Sequence, residues 1–203
     1  MIKGLLLAAL LAAAPVEAPP ETRSLYLQLI HQARADGRTR AALAWLDDFD
    51  RRYPGDADAR LLRVNALLDL GQIDAAEAVP LPADARNGSV NAVRGHLFAA
   101  RQRWAEAAGS YATAAQASPA DPLLRNALGY ALLREGRTAQ AVESFRAAAD
   151  LAPQEPVIRN NLLLALTLAG RRDEAEALLR RLDPATQSRL RRQIAAEQGR
   201  MKP

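Results

Sequence analysis

The sequence predicts an all-α fold, a solenoid of about five helix-turn-helix units with a C-terminal capping helix. Apolar and small residues fall at helical spacing in paired runs, each pair divided by a turn signal and closed by a proline. Between Pro122 and Glu155 the pair carries Ala127, Leu128, Ala131 and Leu132, then Gly136, then Ala141, Phe145, Ala148 and Pro153. The next segment repeats this with Leu162, Ala165 and Leu166, then Gly170, Ala175 and Leu179, so that Gly136 to Gly170, Ala141 to Ala175 and Phe145 to Leu179 each span 34 residues. Composition agrees: 49% of residues are hydrophobic but only 4% aromatic, and small apolar residues let helices approach closely.

Residues 1–18 have the pattern of a secretory signal. Lys3 gives a positive start and Gly4 to Ala14 is an unbroken small and apolar run, long enough for a signal but well short of the ~20 residues that cross a membrane. An unprocessed N-terminus is the alternative. Residues 19–22 read as an extended linker. The units follow at 23–56, 57–87, 88–121, 122–155 and 156–185, and 186–203 is a basic capping helix and tail. Gly37, Gly71, Gly136 and Gly170 mark turns, and Ala42, Ala76, Ala107, Ala141 and Ala175 recur at the position after the turn, where a bulky side chain would separate the two helices. Pro80 and Pro82 should stop the second helix of unit two near Val79. The loop at 79–88 is then either a hinge or a rigid irregular connection. Trp45 and Trp104 read as core.

A helical hairpin repeated every 34 residues, with these glycines, alanines and prolines, resembles the tetratricopeptide repeat (TPR) family over residues 23–182. Asn160-Asn161-Leu162, Ala165-Leu166, Ala169-Gly170-Arg171 and Glu174-Ala175 also resemble the last repeat of TPR proteins of Tad (Flp) pilus assembly. Those proteins are commonly anchored through a lipidated cysteine, and this chain has no cysteine.

The formal net charge of +4 is local. Arg189, Arg191, Arg192, Arg200 and Lys202 face only Glu197 within 186–203, and the remainder is neutral. A neutral repeat surface is not that of a nucleic-acid binder. Capping accounts for the basic helix, with contact to an acidic partner or lipid surface as the other reading. Without cysteine there is no disulfide, zinc finger or thiol nucleophile. The sequence has no nucleophile elbow, phosphate-binding glycine loop or zinc-protease motif. His31 and His96 sit two units apart, roughly 20 Å if first helices stack at ~10 Å, too far to share a metal or a proton. No catalytic residue, metal or cofactor is expected. Asp47, Asp48 and Asp50 read as solvated surface, Asp56 as a helix N-cap, and Asn87-Gly88-Ser89 as a chance glycosylation sequon.

The resemblance implies that positions 2, 5, 9, 12 and 13 of each unit line a concave face that binds an extended or helical peptide, and helical geometry independently puts them on one stripe. The candidate partner contacts are His31, Asn65, His96, Tyr130 and Leu164 at position 9, Asn126 and Asn160 at position 5, and Arg134. The asparagines can grip a peptide group and Arg134 a carboxylate, or the asparagines can tie adjacent helices together, with His31 and Tyr130 as partly buried filler. The expectation is a non-enzymatic interaction scaffold in the periplasm, serving a cell-envelope machine such as a pilus or secretion apparatus. The alternative is a cytosolic adaptor or chaperone-like regulator.

Overall fold

The computed structural model describes residues 20–84 and 87–201. The expected signal segment 1–18 lies outside the described residues. Pro20 to Thr22, expected as linker, instead form the first turn of α1, where the missing proline N–H costs nothing. The described residues form eleven helices and no strand. The first helices of the five units are α1 (Pro20–Ala35), α3 (Ala57–Asp69), α5 (Gly88–Ala100), α7 (Pro122–Arg134) and α9 (Pro156–Leu168). Their partners are α2 (Thr39–Arg52), α4 (Ile73–Glu77), α6 (Trp104–Ala117), α8 (Thr138–Leu151) and α10 (Arg172–Leu179), and α11 (Pro184–Met201) follows. The chain divides into two compact units between Asp56 and Ala57.

In the first compact unit, α1 and α2 bury Ile30, Ala33, Ala42, Leu46 and Phe49. Tyr26 meets the Phe49 ring edge-on at 5.5 Å, and its hydroxyl donates to Asp48 at 2.7 Å. Asp48 was expected to be mere surface; it joins the two helices, and the Tyr26 and Arg51 hydrogen bonds hold its carboxyl below the usual range. Asp56 accepts from Arg23 Nε at 2.7 Å.

In the second compact unit the hairpins pack through the residues that the period picks out. Ala76, Ala107 and Ala141 are fully buried and Ala175 nearly so. Bulk is exchanged between two other positions. Where the second helix offers an aromatic ring, the first offers glycine: a Cβ on Gly95 would lie 2.5 Å from Tyr111, and one on Gly129 2.8 Å from Phe145. Where the second helix offers Leu179, the facing residue of the first is Leu163, buried without glycine.

All five turns close alike. The N–H of Arg38, Gln72, Arg103, Arg137 and Arg171 donates to the carbonyl five residues back at 2.8–2.9 Å, the helix-ending bond that follows a residue at positive φ. Glycine holds that residue in four turns, but Gln102 holds it in the third with φ 58°.

Helix starts are capped by side chains. Asp121 accepts from the N–H of Leu123 and Leu124, Asp183 from Thr186, and Asn87 from Val90. The sequon asparagine is therefore a cap. The short α4 stops at Glu77, as Pro80 requires. Val79 and Leu81 pack against Leu61, Val64, Ala76, Val90 and Val93, and Arg101 from the end of α5 binds Glu77 at 2.8 Å and pairs with Asp74. Val79 and Leu81 are thus packed down, and the division between compact units falls at Asp56.

Two substitutions should move stability in opposite directions. Gly129→Ala should lower the free energy of unfolding by ~1–3 kcal/mol through the Phe145 clash. Gln102→Gly should raise it by ~0.5–1 kcal/mol by relieving the left-handed backbone. Urea midpoints with an unchanged slope would verify both; a neutral Gly129→Ala would contradict the close approach.

Candidate functional site

The face shared by α3, α5, α7 and α9 carries every candidate contact except His31, which is exposed on α1 in the other compact unit. Helical spacing places Asn65, His96, Tyr130 and Leu164 at one register, and the structure links the first two. His96 Nδ1 donates to Asn65 Oδ1 at 2.8 Å, joining α5 to α3. The His96 ring also lies 5.6 Å from Tyr111, whose phenol is pushed well above its ordinary pKa by burial. Asn126 Oδ1 accepts from Asn161 Nδ2 at 2.9 Å, joining α7 to α9. The tie between helices is therefore real for Asn126, but its partner is Asn161, a residue that position counting alone passed over.

Tyr130 and Arg134, one turn apart on α7, form a cluster with Trp104 at the start of α6. The Arg134 guanidinium carbon lies 4.4 Å from the Trp104 ring centroid and 5.9 Å from that of Tyr130, and Nη1 donates to the Tyr130 hydroxyl at 3.2 Å. The two rings meet edge-on at 5.9 Å. Trp104 is half-buried rather than core, as is Trp45. The cation is held by rings and a hydroxyl, with no carboxylate partner among the described residues. It is a preorganised positive group with donors left for an anion.

Asn160 and Leu164 lie beneath the flank of α11. Leu164 is only 7% exposed, so it supplies packing rather than an open contact. With Asn161, Leu190, Ile194 and Glu197 these residues line a cleft of about 340 Å³, and Asn160 Oδ1 is buried with no hydrogen-bond partner. The packing of α11 follows from its register. Pro184 starts it as Pro122 and Pro156 start α7 and α9, which makes Leu190 and Ile194 the seventh and eleventh residues, like Leu162 and Leu166 of α9. All four are buried. Of the tail cations, Arg191 pairs with Glu176 at 2.6 Å, and the side chains of Arg200 and Lys202 lie outside the described residues.

This architecture, successive hairpins whose first helices present one face, is that of a protein-interaction scaffold. Residues 132–197 match the family model described as tetratricopeptide repeat. Solved structures agree on the fold. A thermophilic TPR protein of Thermus thermophilus superposes with TM-score 0.67 at 22% identity, over 86% of this chain and 97% of that one. Pseudomonas aeruginosa pilF gives 0.64 at 22%, over 87% and 84%. MamA from Desulfovibrio magneticus gives 0.62 at 19%, over 87% and 98%. No curated protein matches the sequence.

A double-mutant cycle on Asn126→Ala and Asn161→Ala should return a coupling of ~0.5–1.5 kcal/mol in urea unfolding. Additive losses would show that the two amides do not bond.

Proposed function

We propose that the chain is a non-enzymatic scaffold that lays a polypeptide along the α3, α5, α7 and α9 face. The observation that carries this reading is Arg134, a half-buried cation fixed over Trp104 and Tyr130 with no acidic partner among the described residues. Holding an arginine in one orientation lowers the ordering cost of meeting a carboxylate on a bound segment. Asn65, His96 and Asn126 support the same face by locking neighbouring first helices together, so that the row is rigid before a ligand arrives. Asn160, with an unused acceptor at the α9 and α11 cleft, is suited to a peptide N–H.

We place this scaffold in the periplasm, in the service of a cell-envelope machine such as a pilus or secretion apparatus. Support comes from the signal-like residues 1–18 and from the likeness of the last repeat to Tad pilus proteins. N-terminal sequencing of the protein from cells should begin downstream of about Ala13; a sequence starting at Met1 or Ile2 would favour the cytosolic adaptor.

Crosslinking in cells tests the face. The native chain should capture an envelope polypeptide, and Arg134→Gln with Asn160→Ala should lose at least about tenfold of it at unchanged helicity, as expected for a removed charge-assisted contact. Equal capture by both forms would place binding elsewhere, with α11 the next surface to alter.

A further inference from the structure

A cavity of about 480 Å³ opens where the end of α8, the first half of α9 and the segment after α10 meet. Its floor is apolar, with Leu162, Leu178 and Leu182, and its polar lining includes Asp150, Gln154, Arg159 and Arg181. It is separate from the interaction face: Arg159 adjoins Asn160 in sequence and is therefore turned by about 100° around α9.

The preceding repeat provides an internal comparison. Arg125 stands 34 residues before Arg159, and its guanidinium donates from Nε and Nη2 to the Pro119 carbonyl at 3.1 and 3.0 Å. Pro153 stands one period after Pro119 and lines the cavity with Arg159, yet Arg159 Nε is buried with no hydrogen-bond partner. Two local changes accompany the difference. Ser144, which donates to the Arg125 carbonyl at 3.0 Å, is replaced one period on by the apolar Leu178. The second helix is also cut short: α8 runs to Leu151, which corresponds to residue 185, whereas α10 stops at Leu179. Arg181 and Leu182 line the cavity from the non-helical segment that takes its place.

Arg146, also at the cavity, is paired with Glu143 and Glu174. Arg181, exposed at the rim, has no acidic partner among the described residues, and neither has Arg159. A buried cationic N–H without an acceptor is a place where an anion gains a charge-assisted hydrogen bond, and the leucine floor adds apolar contact beside it. Asp150, exposed on the same rim and likewise without a partner, opposes a multiply charged anion and can accept an N–H from the ligand.

We propose that this cavity binds the α-carboxylate of an apolar amino-acid residue, with the carboxylate between Arg159 and Arg181 and the side chain on Leu162, Leu178 and Leu182. The same chemistry is borne by a polypeptide C-terminus and by a free acylated amino acid. The site does not depend on the interaction face, and Arg134→Gln leaves it intact.

The test is a titration of the full chain followed by the arginine Nε–H resonances, using N-acetyl-leucine, N-acetyl-leucinamide, an acetylated tripeptide ending in leucine, and inorganic phosphate. N-acetyl-leucine should shift the Arg159 Nε–H signal, and the uncharged amide should bind at least about tenfold more weakly. Arg159→Lys should weaken binding similarly by removing the planar fork, and Arg181→Gln, at an exposed position, keeps the test valid should the Arg159 variant not fold. Tighter binding of the tripeptide assigns the site to a polypeptide terminus; equal binding assigns it to the acylated amino acid. An Arg159 signal that no carboxylate moves, equal binding of acid and amide, or phosphate binding as well as the acid would overturn the proposal.

Discussion

Everything in the structure rests on how closely the two helices of each hairpin can approach. The contact is made at an alanine after every turn, and at Ala42, Ala76, Ala107 and Ala141 nothing of the side chain reaches solvent. A methyl group is the largest that fits there, since a longer side chain would drive apart two helices that are covalently joined by a short turn. The facing position shows that volume, rather than residue type, is what is constrained. Glycine faces the rings of Tyr111 and Phe145, whereas two leucines share the same space in the last hairpin. Each hairpin becomes a unit of similar thickness, and similar units can stack.

The stacking in turn decides what the first helices can display. Within the second compact unit, His96 reaches Asn65 at the ninth position of the preceding repeat, and Asn126 reaches across to Asn161. These bonds consume polar groups that would otherwise be available to a ligand. What is left over is then the informative part: Arg134 held by two rings, the Asn160 oxygen in its cleft, and the Arg159 Nε on another side of the same helix. The arginine ladder of Arg146, Arg171, Glu143 and Glu174 is by contrast internally neutralised and solvent-facing, worth little to stability or to binding.

The fold was legible because it is written several times. Glycine at the turns, alanine after them and proline at helix starts are backbone and volume requirements, and repetition separates them from chance. The early stop of α4 was legible for a similar reason, since Pro80 cannot continue a helix. Side-chain pairing was much less so. Position counting singles out Asn160 at the fifth position, yet the bond to Asn126 goes to Asn161 beside it. Trp104 read as core because large aromatics usually are, and only the placement of Arg134 across from it makes it a platform. Gln102 shows a related limit: the turn geometry is imposed by the helices on either side, so it persists where the glycine signal is lost. Asp48 read as surface because its tyrosine partner lies on the preceding helix, out of reach of any local pattern.

The scaffold proposed above receives its partner on the face of α3, α5, α7 and α9. Hydrogen exchange on the full chain, with and without the polypeptide that it captures in cells, measures this most directly. Added protection should map to the first helices around Asn65, His96, Tyr130 and Arg134, with α6 and α8 unchanged beyond the start of α6 at Trp104. Protection confined to α8, α10 or α11, with those first helices unaffected, would contradict it.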